Sequence, residues 1–211
     1  MAQIVLIGDS HSQVHFDYLI PILQATGNEV VLRTSKPGWS INSFLSSTEL
    51  DSLPSLNADT AIVALGGNNS DLTKGYKDTT KRFLQYLKES GIKKVVWLGP
   101  FAADPAERPD VSDRHEWTAD FQKSFLPLKG VYWIDMRKVS EGGPWRDAVH
   151  FSSAKYKEMV EAIQGKLLKG VHFPRFITMP LYSPFFWSFV LVGGFLTTRY
   201  IRKRRLTDER Y

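Results

Sequence analysis

Five short apolar runs, rich in β-branched residues, recur through the first 135 residues: Gln3–Ile7, Glu29–Arg33, Thr60–Leu65, Lys94–Leu98 and Val131–Asp135. They are mostly continuous rather than alternating, the pattern expected of parallel strands covered on both faces. Helical patterns lie between and after them. Val14–Ala25 stops at Gly27-Asn28, and Leu72–Ser90 carries Phe83, Leu84 and Leu87 at helical spacing before Gly91. Ala154–Leu168 is preceded by Ser152 or Ser153 as N-cap and followed by Gly170. Strands alternating with helices imply right-handed crossovers and a doubly wound α/β sheet of about five strands. Chemistry in such sheets gathers at the carboxyl ends of the strands. The segment Phe101–Glu116, with Pro105 and Pro109, reads as a long polar loop and a candidate rim over a site.

The chain has 211 residues, enough for one domain with a sizeable core and an appendage. It contains no cysteine, which excludes a disulfide framework or a thiolate metal site. Its formal charge of +5 invites a nucleic-acid reading, but Arg199–Tyr211 holds six basic and two acidic groups and so carries +4 of it. The body is close to neutral, and no nucleic-acid partner is expected.

Ahead of that tail, Phe176–Thr198 runs 23 residues without a charged side chain. Pro184 suits a first turn, and a helix from Phe185 to near Ile201 would be close to 25 Å long, at the short end for a bilayer core of about 30 Å. Trp187 and Tyr200 suit its interfacial edges, and Gly193-Gly194 is tolerated within a membrane span. The alternative is a hydrophobic helix packed on the domain or on a partner. The expected organisation is a globular domain over 1–170, a linker or interfacial segment over 171–183, a single transmembrane helix over 184–201 and a basic tail over 202–211. The Arg199–Arg205 cluster predicts a cytoplasmic C-terminus by the positive-inside rule. No cleavable signal peptide is legible at Met1-Ala2-Gln3, and a tail anchor would leave the globular part in the cytoplasm. The two topologies conflict, and a lipid-enveloped virion is a third setting.

The carboxyl ends of the strands carry distinctive residues. The first ends in Gly8-Asp9-Ser10, a Gly-assisted turn that would hold a serine hydroxyl outward. The second is followed by Lys36-Pro37-Gly38-Trp39-Ser40, where Gly38 offers a bare backbone N–H, and the third by Gly66-Gly67-Asn68-Asn69, which offers a side-chain amide. Asp147-Ala148-Val149-His150 precedes the last helix; an aspartate three residues before a histidine can orient its ring as a base toward a serine. Each residue also has a structural reading: Ser10 as a helix N-cap, His150 as a loop histidine satisfied by Asp147, and Asn68 as a turn residue. His11, His15, His115 and His172 lack metal-ligand spacing, and the glycines lack the spacing that cradles phosphate.

Four such blocks in order, Gly8-Asp9-Ser10, Gly38, Gly66-Gly67-Asn68 and Asp147-x-x-His150, resemble the SGNH (GDSL-type) hydrolase superfamily over nearly all of residues 3–169. The resemblance implies a flavodoxin-like three-layer α/β/α sandwich that hydrolyses esters of small acyl groups, lipids or acetylated sugars. Block by block it implies Ser10 as nucleophile, His150 as base and Asp147 as its partner. The oxyanion hole would comprise the Ser10 and Gly38 N–H groups and the Asn68 side chain. No cofactor or metal is implied.

Two departures stand out. His11-Ser12 replaces the usual aliphatic residue and Thr or Ser, which looks like the branch associated with polysaccharide O-acetyl chemistry. Asn69 stands where Asp often follows Asn. His11, Trp39, Asn69 and Trp145 are possible substrate contacts, with core packing the alternative for both tryptophans. The expected activity is esterase action on a small acyl ester, such as O-acetyl groups of a cell-envelope polysaccharide. A lipid esterase, an acyltransferase of the same fold, and an inactive membrane-anchored binding or virion structural protein are the alternatives.

Overall fold

The computed structural model describes residues 1–69, 74–127 and 131–171. Five strands, β1 (Gln3–Gly8), β2 (Glu29–Ser35), β3 (Thr60–Ala64), β4 (Lys94–Leu98) and β5 (Val131–Ile134), form one all-parallel sheet in the order β2-β1-β3-β4-β5. All five expected strands are present, with bounds within two residues of those read from the sequence.

Helices cover both faces, because each central strand sends alternate side chains to opposite sides and both sets are apolar. Ile4 and Leu6 of β1 point into one core with Ile62 and Val96. That core is closed by α1 (Ser10–Ala25), through Phe16, Leu19 and Leu23, and by α6 (Ser153–Val171), through Met159, Val160, Ile163 and Leu167. Val5 and Ile7 point into the opposite core with Val63 and Trp97. There they meet Ile41 and Phe44 of α2 (Ile41–Leu45), Phe83 and Leu87 of α3 (Lys74–Glu89) and Phe125 of α4 (Pro109–Phe125). Leu19 and Leu23 are fully buried, and such side chains contribute about 1.5–3 kcal/mol each. A last short helix, α5 (Arg137–Ser140), follows β5.

Three elements differ from the sequence expectation. α1 begins at Ser10, not Val14, because Asp9 caps it: the Asp9 carboxylate accepts from the His11 N–H at 3.1 Å. The segment expected as a polar loop at Phe101–Glu116 is a loop only as far as Arg108 and then becomes α4. Pro109 sits at the first turn of α4, where its missing N–H costs nothing, and Asp110 complements the helix dipole. Gly170, expected to end the last helix, lies within α6; a Cβ there would stand 2.6 Å from Tyr132 and 2.9 Å from Val96, so its bareness lets the helix close on the sheet. Among the described residues no helix is long and apolar enough to cross a membrane. The span expected at 184–201, the basic tail at 202–211 and all but the first residue of the 171–183 segment lie outside the described residues.

Candidate active site

The site forms where β1 turns directly into α1. Gly8 closes β1 with no room for a side chain, since an added Cβ would collide with Ser12. Asp9 then caps α1, and Ser10 takes the first helical position. The Ser10 N–H is one of the donors that a helix N-terminus leaves without an intrahelical partner. Ser10 is half-buried, with its Oγ facing the loop before α6.

That loop is a hairpin in miniature. Arg146 donates its backbone N–H to the His150 carbonyl at 2.7 Å, and Ser152 donates to the Pro144 carbonyl at 3.1 Å. Trp145 and Phe151 face one another as an isolated antiparallel pair, with ring centroids 4.3 Å apart. The tip carries Asp147 and His150. Asp147 Oδ1 accepts from the backbone N–H of Val149 at 3.0 Å and of His150 at 2.7 Å. His150 Nδ1 lies 3.0 and 3.1 Å from the two carboxylate oxygens, and its Nε2 lies 2.8 Å from Ser10 Oγ. Burial raises the Asp147 carboxyl, but the N–H groups of His150 and Val149 and the His150 ring reverse this and hold it well below the usual carboxylate range. An ionised Asp147 keeps the ring proton on Nδ1, leaving Nε2 to accept from the serine hydroxyl. The structure thus brings Ser10, His150 and Asp147 into one continuous hydrogen-bonded series, from residues that are far apart in sequence.

The second and third blocks flank this series. Gly38 is exposed in a left-handed conformation with φ +72°, which a side chain would strain, and nothing lies within 4 Å of the position its Cβ would occupy. The Asn68 amide nitrogen is 3.4 Å from Asp9 Oδ2 and 3.3 Å from the Trp39 carbonyl, so one side chain ties together the loops after β1, β2 and β3. Asp9 is 5 % exposed. Burial outweighs the N–H groups bonded to its carboxylate and pushes the acid up to about 7. The sequence reading passed over Asp9 as part of a turn; its signal was its place as a cap immediately before the serine.

Two expected substrate contacts lie in the interior instead. Asn69 is 3 % exposed and its Oδ1 accepts from the Ile41 N–H at 3.4 Å, which joins the third block to α2. His11 is 4 % exposed, its ring stacked on Phe101 at 4.8 Å and tilted against His150 at 5.0 Å. Its Nδ1 is 2.9 Å from the Tyr156 hydroxyl. Burial, joined by neighbouring rings, holds His11 well below its ordinary value and therefore neutral. Burial likewise lowers His15 to about 3 and His115 to about 4. His115 Nδ1 donates to the Phe101 carbonyl at 2.8 Å. Among the described residues no group of three or more His, Asp or Glu side chains is placed to hold a metal ion.

Trp39 and Trp145 are both half-buried. Trp39 meets Phe44 edge-on at 5.0 Å with Lys36 Nζ 5.8 Å from its ring, and Trp145 lies on Phe151. Each is partly packed and partly exposed.

No protein-family model and no curated protein matches the chain. Solved structures do. A lipase/acylhydrolase from Enterococcus faecalis superposes with a TM-score of 0.62 at 20 % identity, covering 79 % of this chain and 97 % of that one. The acetylxylan esterase Axe2 from Geobacillus stearothermophilus gives 0.64 at 16 % identity, covering 82 % and 95 %. LAE5, an alpha/beta hydrolase enzyme from the metagenome of Lake Arreo, Spain, gives 0.65 at 14 % identity, covering 79 % and 96 %. The chain therefore has the α/β fold that these hydrolases share, over nearly the whole of their length.

Proposed function

We propose that this protein is a serine ester hydrolase of the SGNH type acting on small acyl esters. The observation that carries the reading is the series Ser10 Oγ, His150 Nε2, His150 Nδ1 and Asp147 carboxylate, with contacts of 2.8 Å and 3.0 Å, at the carboxyl edge of a parallel sheet.

In the first step Ser10 Oγ attacks the ester carbonyl carbon and passes its proton to His150 Nε2, while Asp147 stabilises the imidazolium. The N–H groups of Ser10 and Gly38 and the Asn68 amide, on releasing one of its two long contacts, receive the developing oxyanion. Collapse breaks the bond to the alcohol, which leaves with the proton from His150. Water, deprotonated by His150, then attacks the acyl-serine, and Ser10 recovers its proton as the acid departs.

The substrate we favour is an O-acetyl group on a cell-envelope polysaccharide. Support comes from the polysaccharide esterase among proteins of this fold and from the half-buried Trp39 and Trp145 beside the site, whose faces suit a sugar ring. A membrane span at 184–201 would hold the domain beside such a polymer. The test is hydrolysis of p-nitrophenyl acetate by the full-length protein in detergent. Ser10→Ala should lower the rate by roughly 1000-fold or more; hydrolysis undiminished in that variant refutes the assignment.

A further inference from the structure

The contact between Ser10 and His150 joins a rigid turn to a loop whose tip is open: the Asp147 side chain is 49 % exposed. Hydrogen bonds within the hairpin fix its shape but not its distance from α1. Something outside the loop has to hold that distance, and the residues next in sequence to Ser10 and His150 provide it.

His11 follows Ser10, and Phe151 follows His150. Both reach Tyr156, on the first turn of α6. In the Trp145–Phe151 pair the ladder hydrogen bonds are made by the flanking residues, Arg146 with His150 and Ser152 with Pro144. The Phe151 N–H is therefore turned away from the hairpin, and the Phe151 ring packs edge-on against Tyr156 with centroids 5.7 Å apart. The Tyr156 hydroxyl is hydrogen-bonded to His11 Nδ1 at 2.9 Å. Tyr156 is 2 % exposed and His11 4 %, so water does not compete for either contact. The neutral His11 ring is wedged between Phe101 on one side and His150 on another.

We propose that Tyr156 and His11 are positioning residues whose bridge, from the Phe151 ring through the Tyr156 side chain to His11 Nδ1, spans from the serine turn to the histidine loop and sets the Ser10–His150 contact. This rests on the reading of Ser10 as nucleophile. The bridge runs parallel to the reacting pair, one residue behind it on each side, and is anchored on a long helix rather than on the loop it steadies.

The test uses full-length protein in detergent and the rate of labelling by a fluorophosphonate, in which Ser10 Oγ bonds to phosphorus, fluoride leaves and the serine proton passes to His150. Tyr156→Phe and His11→Phe each remove one end of a single hydrogen bond while keeping a ring in place. Each should slow labelling by roughly 10-fold, short of the ~100-fold that a 1 Å misplacement costs. The double variant should be no slower than either single, because both delete the same contact. Tyr18→Phe is the control: its hydroxyl also joins α1 to α6, at 2.6 Å from Ser153 Oγ, but outside the bridge, and labelling should stay at the wild-type rate. A second readout does not depend on reactivity. The proton NMR signal of His150 Nδ1–H, assigned by its loss in His150→Gln, should broaden by faster exchange in Tyr156→Phe and persist in Tyr18→Phe. Wild-type labelling rates in both single variants, multiplicative losses in the double, or an equal loss in Tyr18→Phe would overturn the bridge. If wild-type protein does not label at all, the nucleophile assignment fails, and an NMR signal unchanged in Tyr156→Phe then overturns the bridge as well.

Discussion

Asp9 carries a cost whose size can be worked from its surroundings. Burial raises its carboxyl from the ordinary 3.8 to about 7, against the His11 and Asp9 N–H groups that favour the anion. The folded state therefore holds a proton that the unfolded chain releases near pH 4. The stabilisation linked to that proton is fully present below the unfolded value and is lost as pH rises toward and through 7. At 1.36 kcal/mol per pH unit, the loss approaches about 4 kcal/mol once the pH passes 7. Asp9→Asn removes the ionisation but keeps the cap, since an amide oxygen accepts from the His11 N–H as well as a carboxylate does. Its amide nitrogen, however, meets the Asn68 amide, donor against donor, where Asp9 Oδ2 now accepts. Stability and activity should accordingly move in opposite directions. Urea unfolding between pH 4.5 and 8 should show the variant gaining on wild type, from little at the acid end to as much as ~4 kcal/mol at pH 8. Its esterase rate should fall by less than the ~100-fold expected when an oxyanion donor is removed outright. The buried neutral rings of His11, His15 and His115 impose the opposite slope, losing stability as pH falls below 6.5. They are common to both proteins, so the difference between the curves isolates Asp9. Parallel curves across that range would refute the argument.

Two further outcomes follow from the proposed chemistry and the sequence of the C-terminus. Asn68→Ala should lower kcat for p-nitrophenyl acetate by roughly 100- to 1000-fold with little change in KM, because the amide acts on charge that develops only in the transition state; a fall in KM-limited binding alone would exclude that role. Full-length protein should remain with membranes through alkaline carbonate extraction, and Phe189→Asp with Leu191→Lys, placed inside the proposed span, should release it; extraction of the unaltered chain would exclude the anchor.

The central strands β1 and β3 were legible because they are buried on both faces, which writes a continuous apolar run into the chain; β4 matches its expected bounds residue for residue. The starts of α1 and α4 were not legible, for a shared reason. Ser10-His11-Ser12-Gln13 carries no apolar residue, and the first turns of α4 are dominated by Pro109, Asp110, Asp113 and Arg114. In both cases capping and dipole chemistry, rather than an apolar stripe, begin the helix. Ser10 was legible from its place at the end of β1 and Asp147 with His150 from their local spacing, whereas the 140-residue contact between the two leaves no local signature. His11 and Asn69 were misplaced because a polar side chain predicts exposure unless its partners are known. Tyr156 lies 145 residues from His11 and Ile41 lies 28 from Asn69, and neither contact leaves a local signature.

The separation of 140 residues between Ser10 and His150 has a consequence during synthesis. At 5–20 residues per second, roughly 7 to 28 s pass between translation of the serine and of its proposed base. Through that interval the nascent chain presents Gly8-Asp9-Ser10 without His150, Asp147 or the Tyr156 bridge. The proposed site is complete only when the last strand has paired and α6 has docked. A ribosome stalled anywhere before residue 150 would thus carry a chain that lacks the proposed base.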